Sequence, residues 1–226
     1  MKSWNVVITG ASRGIGLELV RTVLREGHEV LAVAREPEKS KGLRDLKAEY
    51  QGKLTFLAAD VADDKCPSQI VDATRAWPCV DLLINNAGIF EQEATATSFM
   101  NSFRVNSVAP FLLTKALVPQ LKKSSQPRVC QVTSQMGSIA DNRSGGYYSY
   151  RASKAALNMI NKSLSVDEPW LTTIVIHPGW VKTDMGGPQA PMSPPESAEK
   201  IWRVVSRLES TQSGRFYNYQ GAELPW

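Results

Sequence analysis

Short apolar strands alternate with amphipathic helical stretches along the whole chain, and this alternation limits the fold more than any other property of the sequence. Val6-Val7-Ile8-Thr9 reads as a buried strand. Residues 14–25 carry Ile15, Leu19, Val20, Val23 and Leu24 on one helical face, and Gly27 ends that helix before a second strand at 30–34. The pattern continues with helix 37–50, strand 54–58, helix 67–76 and strand 81–85. A long helix at 98–123, with Pro110 in its middle, precedes strand 128–133, helix 150–168, strand 172–177, helix 195–208 and strand 215–219. Apolar strands separated by helices predict a parallel sheet covered on both faces. The expected fold is α/β, a Rossmann-like doubly wound parallel sheet of about seven strands with helices on both faces, in one domain spanning 1–226.

Composition narrows the function by exclusion. The chain has 226 residues, 42% of them hydrophobic and 21% charged, which suits one globular domain with a sizeable core. The net charge of +4 carries no Lys/Arg run, so nucleic acid is not an expected partner. Cys66, Cys79 and Cys130 have no paired spacing and fit a reducing compartment. With only His28 and His177 beside them, no metal cluster is expected. No signal peptide precedes the first strand and no apolar run is long enough to span a bilayer, so a cytoplasmic protein without membrane contact is expected.

The first strand leads into Thr9-Gly10-Ala11-Ser12-Arg13-Gly14-Ile15-Gly16. A dinucleotide fold needs glycines at this place for a tight turn, for close approach of backbone to pyrophosphate, and for helix–strand packing. The helix amino terminus then offers free N–H groups to phosphate. At the end of the second strand stands Arg35 rather than an acid, with Glu36 next to it. Arg35 and Arg13 can clamp a 2′-phosphate, so NADP(H) is expected to be preferred over NAD(H). Asp60 and Val61 follow the third strand, where they suit the adenine, Asp60 suiting a turn equally well.

Tyr150-Arg151-Ala152-Ser153-Lys154 places a phenol and an ammonium on one helical face, one turn apart. A neighbouring cation lowers a phenol's pKa, and a phenol tuned in this way can exchange a proton with a substrate oxygen. Asn85-Asn86-Ala87-Gly88 ends the fourth strand and Pro178-Gly179 the sixth, both at the sheet edge where nucleotides bind.

Taken together, Thr9-Gly10-x-x-x-Gly14-x-Gly16, Asn85-Asn86-Ala87-Gly88, Asn106, Ser134, Tyr150-x-x-x-Lys154 and Pro178-Gly179 resemble the short-chain dehydrogenase/reductase family over essentially the whole chain. The stretches from Tyr150 to Asn158, Lys162 to Asp167 and His177 to Gly187 resemble its branch of sniffer-like carbonyl reductases and bacterial C-factor proteins. The resemblance implies that Tyr150 is the acid in carbonyl reduction and that Lys154 lowers its pKa and binds the nicotinamide ribose. It implies further that Ser134 donates to the carbonyl oxygen and that Asn106 holds a relay water. Val181 and Thr183 would contact the carboxamide. Ser134 lies sixteen positions before Tyr150, a long interval for the family, and Ser138 lies twelve before it; Ser134 is preferred because it follows the strand directly.

Met136, Ile139, Tyr147, Tyr148, Trp180, Met185 and Phe90 form the expected substrate wall, apolar and without a positioned cation, with a substrate loop at roughly 185–195. A hydrophobic ketone, aldehyde or quinone is the expected substrate. Alternatives are a nucleotide-binding signalling protein of C-factor type and an alcohol or hydroxysteroid dehydrogenase working oxidatively. The resemblance also implies association through the helices at 98–123 and 150–168, as a homodimer or homotetramer.

Overall fold

A computed structural model describes residues 3–226. Seven parallel strands form one sheet in the order β3-β2-β1-β4-β5-β6-β7. They are β1 (Asn5–Thr9), β2 (Glu29–Ala34), β3 (Leu54–Ala58), β4 (Leu82–Asn85), β5 (Arg128–Val132), β6 (Thr172–His177) and β7 (Phe216–Asn218). Strand β1 lies between β2 and β4, with Val7 opposite both Leu31 and Leu83. The chain moves outward from β1 to β3, then returns to the other side at β4. Where the order reverses, the helices that follow β1 and β4 pack on opposite faces of the sheet, and a crevice opens at the carboxyl ends of the strands.

The side-chain period of β1 explains the layers. Val6 and Ile8 face a core shared with Leu19 and Val23 of α1 (Gly14–Arg25) and with Ile201 and Trp202 of α7 (Pro194–Val205). Val7 faces the opposite core, with Ile70 of α3 (Cys66–Ala73) and Leu113 and Leu117 of α5 (Ala109–Leu121). All five residues of β1 are buried, as a strand covered on both faces requires. The remaining helices are α2 (Lys41–Glu49), α4 (Ala96–Phe103) and α6 (Tyr148–Asp167). Among the described residues, no helix is long and apolar enough to cross a membrane.

The helix expected at 98–123 is α4 and α5 joined by a π-helical turn, Arg104–Val108, in which the Ala109 N–H reaches back to the Arg104 carbonyl. Pro110 lacks an N–H and would break an unmodified helix; it falls just beyond this widened turn. Helix α6 begins at Tyr148, two residues before the expected start. The expected helix 37–50 is a short 3₁₀ turn at Pro37–Lys39 followed by α2, which is capped by the Ser40 hydroxyl.

Candidate active site

The loop after β1 touches the loop after β4 so closely that only glycine fits. A Cβ on Gly10 would lie 2.8 Å from the Ala87 Cα, and one on Gly16 would lie 2.1 Å from the Gly10 carbonyl oxygen. Thr9 Oγ1 accepts from the backbone N–H of Asn86 and of Ala87, each at 3.1 Å, and Asn86 Nδ2 donates to the Thr9 carbonyl at 3.0 Å. No side chain caps the amino terminus of α1 and no acidic residue stands in its first turn, so its N–H groups face the crevice without competition.

The crevice holds about 510 Å³. Gly10, Ser12, Arg13, Gly14, Ile15, Gly16, Arg35, Asp60, Val61, Asn86, Ala87, Gly88, Tyr150, Lys154, Pro178 and Thr183 line it. Gly179 and Val181 lie in the wall of the neighbouring cavity. Asp60 serves two ends: it lines the crevice, and its carboxylate accepts from the Ala62 N–H at 2.9 Å. Glu36 is turned away toward Lys39, whereas Arg35 makes no ion pair among the described residues. Arg13 meets Asp184 across the crevice at 2.6 Å, a pairing for which spacing in the sequence gave no signal.

The second cavity, about 560 Å³, adjoins the first, and Tyr150 lies in the wall of both. The Ser134 hydroxyl stands beside the Tyr150 phenol in the wall of this cavity. Burial pushes the Tyr150 phenol up to about 12, while the neighbouring Ser134 hydroxyl acts in the opposite direction. Lys154 is just as deeply placed. Burial pulls its ammonium down to about 8, and its Nζ donates to the Val132 carbonyl at 2.9 Å. The expected lowering of Tyr150 by Lys154 is therefore not met. Nζ lies 5.8 Å from the ring centroid, and burial of the phenol sets the direction of its shift.

Asn106, on the π-helical turn, clamps the loop after β4. Its Oδ1 accepts from the Ile89 N–H at 2.9 Å and its Nδ2 donates to the Ile89 carbonyl at 3.0 Å. The same Nδ2 reaches Ser153 Oγ on α6 at 3.0 Å. A Cβ on Gly88 would lie 3.2 Å from Asn106 Oδ1 and 3.6 Å from Lys154 Nζ, so Gly88 leaves room for these two groups to approach. Ser138, the other candidate serine, accepts from the Asp141 N–H at 3.1 Å and is buried away from Tyr150's partners.

Four of the expected substrate residues, Phe90, Met136, Trp180 and Met185, line the second cavity. Tyr147, Tyr148 and Ile139 do not. Tyr147 rests on the far side of Phe90, ring centroids 5.2 Å apart. Tyr148 is on α6 two residues before Tyr150, about 200° around the axis, and faces solvent. Ile139 is 79% exposed. The wall also has a cation the sequence reading missed: Arg151 lines the cavity, with Asp141 and His177. Loop 185–195 folds back on the strand end, with the Lys182 N–H donating to the Met192 carbonyl at 2.9 Å and the Gly187 N–H to the Thr183 carbonyl at 2.8 Å.

His177 ends β6 with Nδ1 buried and without a hydrogen-bond partner among the described residues, and burial pulls its imidazole from 6.5 to about 4. The unfolded chain thus binds a proton near pH 6.5 that the folded chain takes only near 4, and stability falls as pH drops through that window. At pH 5 the loss amounts to roughly 2 kcal/mol. Thermal melts at pH 7 and pH 5 should show a smaller pH-dependent drop in Tm for His177→Leu than for wild type; equal drops would refute this account.

The family described as short chain dehydrogenase matches residues 4–193. The chain belongs to that family. Among its relatives, the C-signal of Myxococcus xanthus is 44% identical over 154 residues, 65% of this chain and 93% of that protein. The solved carbonyl reductase Sniffer of D. melanogaster superposes with a TM-score of 0.91 at 35% identity, covering 100% of both chains. The NADPH-bound carbonyl reductase from chicken fatty liver gives 0.90 at 31% identity, again over 100% of each. This short-chain dehydrogenase is accordingly an oxidoreductase with the seven-stranded sheet that its sequence predicts.

Proposed function

We propose that this protein reduces a hydrophobic ketone, aldehyde or quinone to the alcohol, using NADPH. The observation that carries the proposal is the position of Tyr150, a buried phenol in the common wall of a glycine-lined crevice and a largely apolar cavity. The crevice fits a dinucleotide: its glycines leave a cradle that Cβ atoms would fill, and Arg35 presents a guanidinium without a carboxylate partner among the described residues. When bound there, the nicotinamide supplies the hydride. Ser134 and Tyr150 both point hydroxyls at one carbonyl oxygen, Ser134 stabilising the developing charge and Tyr150 giving its proton. Lys154, whose burial brings it near working pH, replenishes that proton, and Asn106 holds the loop and helix that frame the relay. Phe90, Met136, Trp180 and Met185 exclude water and favour an apolar substrate.

NADPH oxidation in the presence of a panel of aromatic ketones, aldehydes and quinones tests the reading. Wild type should use NADPH more efficiently than NADH; equal or better use of NADH would defeat the preference. Arg35→Ala should narrow the ratio of kcat/KM values by about tenfold, the size of one charge-assisted hydrogen bond. The 44% identity to C-signal favours one second reading, a nucleotide-binding signalling protein. Tight NADPH binding with no turnover of any panel member would support it.

A further inference from the structure

The segment before α6 contains three successive residues in the left-handed region: Gly145 at φ 62, Gly146 at φ 67 and Tyr147 at φ 48. Tyr147 is the one non-glycine residue there among the described residues. A side chain at positive φ persists only where its surroundings hold it. Arg151 is what holds it. Its Nε donates to the Gly145 and Gly146 carbonyls at 3.1 and 3.2 Å, and its Nη2 to Ser144 Oγ at 2.8 Å. Its backbone N–H donates to the Tyr147 carbonyl at 2.9 Å, and its Nη1 crosses to the Met136 carbonyl at 3.3 Å. One planar fork thus ties the turn to the loop that follows Ser134. The guanidinium has no carboxylate within ion-pair distance among the described residues, so its donors go to neutral oxygens.

The turn bears on the active site through aromatic contacts. It sets the Tyr147 ring against Phe90 at 5.2 Å, and the Phe90 ring stands edge-on to Tyr150 at 4.8 Å. Phe90, Met136 and Arg151 all line the apolar cavity. We propose that Arg151 is a positioning residue for substrate selection: by fastening the 144–147 turn to the Met136 carbonyl it fixes the cavity wall formed by Met136 and Phe90, and so sets the size of carbonyl compound admitted to Tyr150. The proposal rests on the carbonyl-reductase reading for its substrate and on the hydrogen bonds of Arg151 for the clamp.

The test uses Arg151→Lys, which keeps the charge but loses the planar fork, and Gly146→Ala, which strains the same turn where a Cβ meets nothing within 4 Å. In the cofactor-free protein, trypsin should cleave after Arg143 at least about tenfold faster in both variants, with Tm lowered by no more than a few degrees. The ratio of kcat/KM for a bulky aromatic ketone over that for a small aliphatic aldehyde should fall by about tenfold, through KM for the bulky compound. If wild type turns over no carbonyl, the functional reading fails while the cleavage rates still judge the clamp. Cleavage and selectivity within twofold of wild type in both variants overturn the proposal. So does faster cleavage with unchanged selectivity, and so does Arg151→Lys behaving as wild type.

Discussion

Tyr150→Phe should lower kcat for carbonyl reduction by about 10³-fold, within the range a positioned general acid contributes, while leaving NADPH binding near the wild-type value. The variant removes one oxygen and nothing else. The ring remains buried, keeps its edge-on contact with Phe90 at 4.8 Å, and remains in the wall of both cavities. Stopped-flow measurement of NADPH oxidation would separate the chemical step from cofactor binding, which protein fluorescence would follow independently. The expected signature is a loss in kcat and in kcat/KM together, since the proton is given only as the transition state forms. A variant that retained more than a tenth of wild-type kcat would remove Tyr150 from the acid's role. Burial raises the phenol to about 12, so it carries its proton throughout the neutral range. That state suits reduction, in which the phenol must give a proton, and the nearby Lys154, brought to about 8 by the same burial, is matched to returning it.

The strand–helix alternation was legible because its cause is local. A strand such as β1, buried on both faces, must be apolar at every position, and an amphipathic helix such as α1 must repeat its apolar face each turn. The glycine loop was legible for a steric reason, since any Cβ at Gly16 would meet the Gly10 carbonyl. What stayed hidden depends on groups brought together from a distance. The electrostatics of Tyr150 could not be read from its spacing to Lys154, because burial of both side chains, decided by the whole fold, sets the direction of each shift. The π-helical turn under Asn106 has Pro110 as its trace in the sequence, but a proline alone does not distinguish a widened turn from a break. Tyr147 and Tyr148 look equivalent beside Tyr150 in the sequence, and one left-handed residue separates them in space. Arg151 was passed over because its partners, the Met136 carbonyl and the 144–146 turn, are peptide groups, which leave no mark on composition.

Ser134→Ala should cost about 10²–10³ in kcat, the usual loss when one donor to a developing oxyanion is removed, whereas Ser138→Ala should remain within about threefold of wild type. The two serines stand four residues apart and their distances from Tyr150 in sequence do not separate them. Their partners do. Ser134 stands beside Tyr150 and lines the apolar cavity. The short turn after it fixes its direction: Ser134 Oγ accepts from the Met136 N–H at 3.1 Å, and Gly137 packs so tightly on α6 that a Cβ there would lie 2.9 Å from Lys154. Ser138 lies beyond that contact, with its hydroxyl taken by the Asp141 N–H at 3.1 Å. Its loss removes a turn hydrogen bond, a net effect of about 1 kcal/mol on stability rather than on the barrier. Measuring Tm beside kcat therefore separates the two: Ser134→Ala should lose rate at nearly constant Tm, and Ser138→Ala should lose a few degrees at nearly constant rate. The opposite pattern would transfer the oxyanion role to Ser138.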